Sequence, residues 1–243
     1  MNSAESNPAV SQPYRNTILQ GDCTKIMRAF RSSSVDFVLT DPPYLLNYSS
    51  RDGRTVINDG NDTWLKPAFA EVYRLLRRDC FCASFYSWNR VDKFLAAWRE
   101  AGFCAVGHLV FVKEYASRER FLKYHHECAY LLAKGNPPKP ARTIPDVVSW
   151  KYTGNGLHPT QKPVCVLKPL IESFSCPGGV VMDPFCGSGS TLVAARESGR
   201  RYIGIELSEM YFQLARTRLR YSAGPLASAK VVTEAAAEKI ATT

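Results

Sequence analysis

The amino-acid sequence predicts an α/β fold with a mostly parallel central sheet and helices on both faces. Short apolar runs with strand composition alternate with amphipathic helical patterns along most of the chain. The 243 residues are 45% hydrophobic, which is enough for one sizeable core. Two of the apolar runs end in an acid followed by a turn, and parallel sheets bind ligands at such strand ends.

The elements follow in a regular order. Strands are predicted at "NTILQGDC", "VDFVLT", "CFCASFYSW", "FCAVGHLVFVKE", "ECAYLLAKG", "GGVVMD" and "RYIGIELS". Helices are predicted at "TKIMRAF", "WLKPAFAEVYRLLRR", "RVDKFLAAWREAG", "KPVCVLKPLIESFS", "TLVAARESGR" and "EMYFQLARTRLRY". Pro67 fits the first turn of its helix, and Gly102 closes the next one. Residues 136–157 are Pro-rich and predicted to be mostly irregular.

The chain is predicted to form one domain over residues 16–221. Residues 1–15 are polar and are expected to be a flexible N-terminal arm. Residues 222–243 are Ala-rich and are expected to be a loose or helical tail. Two internal loops, about 45–63 and 111–157, interrupt the regular pattern.

Composition narrows the function classes. The net charge of +9 and the pI near 9.2 favour an acidic partner, nucleic acid first. The eight cysteines form no CxxC pair, which indicates reduced core cysteines in a cytoplasmic protein and predicts no metal site. No apolar run approaches the roughly 20 residues of a membrane span, and the N-terminus lacks the pattern of a secretion signal.

The first chemically loaded strand end is "VVMDPFCGSGST". Asp183 ends the strand, Gly187 and Gly189 form a turn that lets a backbone approach a ligand, and a helix follows. Glu206 ends the next strand, where a carboxylate can accept hydrogen bonds from ribose hydroxyls. The turn lacks both the longer G-x-G-x-x-G pattern and a Walker lysine. It therefore suits a nucleoside without phosphates, such as S-adenosylmethionine (SAM).

Two further segments complete the candidate site. Thr160, Gln161 and Lys162 come just before a helix, whose free N–H groups and nearby lysine suit a carboxylate. "TDPPY" follows the strand "VDFVL" and supplies the Asp41 carboxylate, a rigid carbonyl from Pro42 and Pro43, and the flat ring of Tyr44. These groups suit the exocyclic amine of a planar base, which would have to be flipped out of a duplex.

"TDPPY" followed by "DPFCGSGST" resembles the β-class of SAM-dependent DNA amino-methyltransferases, which act on adenine N6 or cytosine N4. "GDCTKIM", "HPTQKP" and "GIELSEMY" are also similar to that family, and the resemblance runs from about Thr17 to Tyr221. It implies a circularly permuted Rossmann-like fold, because the catalytic tetrapeptide precedes the cofactor turn. The family transfers the methyl group directly, without a covalent intermediate or a metal, and leaves S-adenosylhomocysteine.

The resemblance also implies a role for each matched residue. Asp41 and the Pro42 carbonyl would hold the target amine, with Pro43 bracing the turn and Tyr44 stacking on the base. The expected cofactor residues are Phe185, Gly187 and Gly189 around SAM, Asp183 on its amino group, Glu206 on the ribose, Thr160 and Lys162 near the methionine end, and Asp22 beside the adenine. An aspartate at the first tetrapeptide position favours adenine N6 over cytosine N4.

Target recognition is expected from the loops at about 45–63 and 111–157. Lys113, Arg118, Arg120 and Lys123 are the candidate contacts to double-stranded DNA. The resemblance further suggests a bacterial or phage protein in the cytoplasm, a homodimer, and a cognate restriction endonuclease as a possible partner. An RNA or protein-amide methyltransferase and a DNA-binding protein without catalysis remain the alternative interpretations.

Overall fold

The part of the chain that the structure describes is built on one nine-stranded, mostly parallel sheet. The computed structural model describes residues 16–47, 57–116, 121–150 and 161–221 and the backbone of Lys230–Thr233. The strands run β6-β4-β5-β3-β2-β7-β8-β1-β9, and β5 is antiparallel to both of its neighbours. The predicted α/β class with a mostly parallel sheet is confirmed.

The element bounds follow the predicted alternation closely. The strands are β1 Thr17–Gln20, β2 Val35–Thr40, β3 Leu76–Tyr86, β4 Cys104–Lys113, β5 His126–Lys134, β6 Val147–Trp150, β7 Val180–Asp183, β8 Arg201–Glu206 and β9 Lys230–Thr233. The α-helices are α1 Cys23–Ile26, α2 Leu65–Leu75, α3 Val91–Ala101, α4 Val164–Phe174, α5 Ser190–Glu197 and α6 Glu209–Tyr221. No helix in these described ranges is long and apolar enough to cross a membrane.

Helices cover both faces of the sheet and divide the core into two clusters. On one face α2 and α3 pack Phe69 and Trp98 against strand residues such as Val38 and Cys82. On the other face α4, α5 and α6 pack residues such as Leu170 against Phe37 and Phe85. Side chains alternate between the two faces along each strand, so neighbouring residues of β2 enter different clusters.

Two strands that are far apart in sequence lie side by side at the centre of the sheet. β2 and β7 pair in parallel, with Val38 opposite Met182. The chain continues from β2 through α2 to β3 on one side, and from β7 through α5 to β8 on the other. Successive strands are therefore added in opposite directions on the two sides of the β2–β7 pair. Ligands of doubly wound sheets bind in the crevice at such a point.

Three local predictions differ from the structure. The segment 136–157 contains β6, whose "VVSW" pairs with the edge of β4 and so satisfies backbone groups that an irregular loop would leave open. The tail expected to be loose or helical places Lys230–Thr233 as β9 beside β1, because "KVVT" has strand-forming branched residues. The expected helix "TKIMRAF" is shorter, with the four-residue α1 followed by a 3-10 turn at Met27–Ala29.

Candidate active site

One cavity at the carboxyl ends of the central strands collects most of the predicted site residues. Its walls come from the turns after β1, β2, β7 and β8 and from the segment before α4. The predicted residues that line it are Asp22, Asp41, Pro42, Pro43, Tyr44, Lys162, Asp183, Phe185, Gly187 and Glu206. The two chemically loaded strand ends therefore open into the same space.

The glycine turn after β7 is held by a hydrogen bond to the Glu206 carboxylate. Gly187 and Gly189 have φ of 50° and 81°, the left-handed region that favours glycine. Glu206 accepts hydrogen bonds from the backbone N–H of Gly187 and of Ser208, both at 2.8 Å. A β-carbon added at Gly189 would lie 3.1 Å from the Ala215 side chain, so this glycine also lets α6 approach the turn.

Asp183 is a buried acid at the end of β7. It accepts hydrogen bonds from the Thr40 hydroxyl at 2.9 Å and from the Phe185 N–H at 3.1 Å. Burial nevertheless raises the pKa of Asp183 to about 7, since the surrounding donors only partly replace water. Burial also raises the pKa of Glu206. Both acids would gain from a ligand that brings positive charge or hydrogen-bond donors.

Asp22, after β1, and Phe185, after β7, line the same cavity. Asp22 caps α1 and accepts hydrogen bonds from the Thr24 N–H and hydroxyl, each at 2.8 Å. Phe185 meets Trp64 edge to face, with ring centroids 5.0 Å apart. These contacts fix a carboxylate and an aromatic wall at the cofactor end of the cavity.

The tetrapeptide after β2 forms the opposite wall. The Tyr44 hydroxyl donates to Asp41 Oδ1 at 2.8 Å, which ties the ring to the carboxylate. The Lys162 ammonium binds Asp41 Oδ2 and lies 3.3 Å from the Tyr44 hydroxyl. The acid and the ring predicted to act on a base therefore share one hydrogen-bonded cluster.

The turn that follows Tyr44 is anchored by an acid that sequence reasoning did not identify. Asp59, only 2% exposed, accepts the backbone N–H of Leu45 at 2.7 Å and of Leu46 at 3.2 Å. Leu45 and Asn47 both have left-handed φ, at 63° and 52°. A left-handed leucine is unfavourable on its own, so the Asp59 carboxylate helps to hold the strained turn beside the Asp-Pro-Pro-Tyr tetrapeptide.

A second residue missed at the sequence level is Glu127 on β5. It pairs with Lys162 at 3.1 Å, binds the Lys113 ammonium, and lies 3.5 Å from the Tyr44 hydroxyl. Burial alone would raise the pKa of Glu127, but the two ammonium groups lower it overall. Glu127 is therefore a charged partner of the Asp41 cluster.

The structure describes three of the basic residues predicted for the site, Lys113, Lys123 and Lys162. Lys113 was expected to contact DNA, but it is 5% exposed and paired with Glu127, so it cannot reach a phosphate from there. The Lys162 ammonium is bound by Asp41 and Glu127, and its place near the methionine end of SAM stays a prediction. Lys123 is exposed before β5, while Thr160, Arg118 and Arg120 lie outside the described residues.

The fold and the cavity define the class of the protein. A doubly wound sheet carries an acid–glycine turn–acid site beside a rigid Asp-Pro-Pro-Tyr turn, and both open into the same crevice. This combination belongs to methyltransferases that act on amines. A family model described as DNA methylase, covering N6 and N4 methyltransferases, matches residues 35–217. The chain therefore belongs to the N6-adenine/N4-cytosine DNA methyltransferase family.

Individual relatives agree with the family. YubD of Escherichia coli K12, which bears the name of a methylase, is 57% identical over 201 residues, 83% of this chain and 88% of YubD. The DNA adenine methyltransferase YhdJ of the same strain is 29% identical, over 88% of this chain and 87% of YhdJ. The crystal structure of the M1.HpyAVI–SAM complex is similar with a TM-score of 0.66 and 26% identity, covering 84% of this chain and 98% of that one.

Proposed function

We propose that the protein transfers a methyl group from SAM to the N6 amine of adenine in double-stranded DNA. The observation that carries this proposal is the shared cavity, in which Asp41 and Tyr44 face the Asp183–Glu206 turn. A paired base cannot enter a cavity at a sheet edge, so the target must be flipped out of the duplex.

The cofactor end has the chemistry that SAM requires. We assign Asp183 to the amino group of SAM, because a buried carboxyl with a raised pKa gains from a cation. Glu206 accepts one backbone N–H on each carboxylate oxygen, and each oxygen keeps a lone pair. Glu206 would use these lone pairs to accept hydrogen bonds from the ribose hydroxyls. Asp22 and Phe185 would border the adenine, and Thr160 stays a prediction for the methionine end.

At the substrate end the residues act by positioning and electrostatics. Bound SAM supplies an electrophilic methyl group, so no covalent enzyme intermediate is needed. Asp41 and the Pro42 carbonyl would accept the two N–H bonds of the amine and localise its lone pair. Tyr44 would stack on the base. As the new N–C bond forms and the C–S bond breaks, Asp41 stabilises the charge on nitrogen and can accept the proton that leaves.

Adenine is favoured by the aspartate at the first position of the tetrapeptide and by the similarity to YhdJ, which is named an adenine methyltransferase. Cytosine N4 is the second candidate, because the matched family includes both amines. Lys123 remains a proposed DNA contact, and a homodimer and a cognate endonuclease remain proposals that light scattering and co-purification can test.

The test is transfer of a labelled methyl group to unmethylated genomic DNA, followed by mass spectrometry of the nucleosides. We expect N6-methyladenine from the natural chain, and none from Asp41→Ala, with SAM affinity largely retained. Asp62→Ala is the matched control, since Asp62 is an acid outside the cavity that pairs with the exposed Lys93. N4-methylcytosine would select the second candidate, and full activity of Asp41→Ala would refute the catalytic assignment.

A further inference from the structure

Four groups of alternating charge form a row that ends at the proposed catalytic acid. The row runs from Lys113 on β4 to Glu127 on β5, then to Lys162 before α4, and finally to Asp41 after β2. Lys113 and Lys162 are each 5% exposed, and Glu127 and Asp41 side chains are 22% exposed. We call these four residues the charge row.

Aromatic side chains surround the two ammonium groups of the charge row. The Lys162 ammonium lies 4.8 Å from the Phe85 ring centre and 5.4 Å from that of Tyr44. The Trp150 ring lies 5.0 Å from the Lys113 ammonium and 5.9 Å from that of Lys162. Charges interact strongly in such an environment, and removing one partner leaves another buried charge uncompensated.

Lys162 has two opposite effects on Asp41. Burial raises the pKa of Asp41, and the positive charge of Lys162 opposes that rise and so favours the carboxylate that Asp41 needs in order to accept the target amine. The same ammonium already occupies Asp41 Oδ2, while the Tyr44 hydroxyl occupies Oδ1. An ammonium held by Asp41 alone would compete with the incoming amine. Glu127 binds Lys162 at 3.1 Å from the other side and so shares that charge.

We propose that Glu127 is a positioning residue that holds Lys162 between itself and Asp41, so that Asp41 keeps an acceptor oxygen for the target amine. The inference rests on the proposed methyl transfer, because it concerns how the acid of that reaction is kept ready. Lys113 is the outer member, and it gives Glu127 a second cationic partner beside Lys162.

The charges around Asp41 make the proposal testable by sign. The groups that face Asp41 are Lys162, Glu127 and Tyr44, with Asp183 further along the cavity. Burial raises the pKa of Asp41, Lys162 lowers it, and Glu127 raises it. The acid limb of the pH–activity profile is the low-pH range in which activity rises as Asp41 loses its proton. Loss of Glu127 should therefore move this acid limb to lower pH, and loss of Lys162 should move it to higher pH.

The experiment measures kcat and kcat/KM for methyl transfer to unmethylated genomic DNA across pH for Glu127→Gln and Lys162→Met. For Glu127→Gln we expect a plateau kcat about tenfold lower, because Lys162 then rests on Asp41 alone, and an acid limb displaced to lower pH. Lys162→Met should displace the limb to higher pH. Glu127→Asp keeps the charge and should restore the position of the limb.

Glu100→Gln is the matched control, since Glu100 pairs with Lys66 where both side chains are 60% exposed, and it should leave plateau and limb unchanged. Melting temperature and SAM dissociation constant identify variants that are merely unfolded. Two results would overturn the inference while the proposed function stands. One is a plateau kcat of Glu127→Gln equal to that of the natural chain, and the other is displacement of the acid limbs of Glu127→Gln and Lys162→Met in the same direction. Absence of transfer by the natural chain would overturn the proposed function itself.

Discussion

Substitution of Asp59 by asparagine tests whether the turn after Tyr44 is held by a buried carboxylate. Asp59 accepts two backbone N–H groups, from Leu45 at 2.7 Å and from Leu46 at 3.2 Å. Asparagine has one acceptor oxygen, and its NH₂ group would face the second N–H. One hydrogen bond to a charged group is lost, and the remaining one becomes a bond to a neutral acceptor.

A hydrogen bond to a charged group contributes about 1.5–3 kcal/mol, so we expect Asp59→Asn to lower the free energy of unfolding by about 2 kcal/mol. For a domain of this size that corresponds to a fall in melting temperature of about 4–8 °C. The methyl-transfer activity of Asp59→Asn should fall by more than the loss of folded protein accounts for. Leu45 is left-handed, so a released turn can relax to ordinary φ and carry the adjoining Tyr44 with it.

The assay combines calorimetry with methyl transfer at a temperature where both proteins are folded. Asp62→Asn is the control, because Asp62 lies in the same loop but pairs with an exposed lysine, and its melting temperature should not change measurably. An Asp59→Asn protein with natural stability and natural kcat would refute the argument that this carboxylate supports the turn.

Two further predictions concern Asp183 at the end of β7 and Gly204 on β8. Asp183 has a pKa near 7 in the fold, above its ordinary 3.8, so it holds a proton below pH 7 and the free energy of unfolding should fall as pH rises from about 4 to about 7. SAM carries a cationic amino group, so the affinity for SAM should increase as pH rises through 7. Thr40→Val removes a hydrogen bond to Asp183 and should move the midpoint of this increase to higher pH. Calorimetric titration of SAM in buffers of different ionisation enthalpy measures the affinity and the midpoint, and a pH-independent affinity would contradict the assignment of Asp183. Gly204→Ala should lower the free energy of unfolding by about 1–3 kcal/mol, because the new methyl would lie 2.4 Å from Leu192 Cδ1 and 3.0 Å from Cys186 Sγ. Urea denaturation measures it, and unchanged stability would show that Leu192 rearranges freely.

The residues at the ends of β2, β7 and β8 could be predicted because the signal is local. An apolar run, an acid, and a turn residue with special backbone geometry stand next to each other in the sequence, as in "VVMDPFCGSG". The positive φ of Gly187 and Gly189 confirms that the glycines are needed for conformation. Pattern alone sufficed here, since neighbouring strand ends meet at one edge of the sheet.

The charge row could not be predicted, because its partners are far apart in sequence. Lys162 and Asp41 are 121 residues apart, and only the packing of α4 against the sheet brings them together. One signal was nevertheless present. Leu109, Phe111 and Lys113 share a strand face, and the first two are buried, so a period of two already placed Lys113 inside the protein. Its basic neighbours in the following loop obscured that pattern.

The sheet order explains why one short cavity can hold both a methyl donor and an amine acceptor. β2 and β7 are adjacent parallel strands, about 4.8 Å apart, although the chain separates Asp41 from Asp183 by more than half its length. The Thr40 hydroxyl donates a hydrogen bond to Asp183 across this pair, so the residue before the proposed catalytic acid contacts the proposed anchor of the cofactor. Backbone pairing in the core thus sets the spacing between Asp41 and Asp183. A substitution that disturbs the β2–β7 pairing should therefore reduce kcat while the separate affinities for SAM and DNA change little.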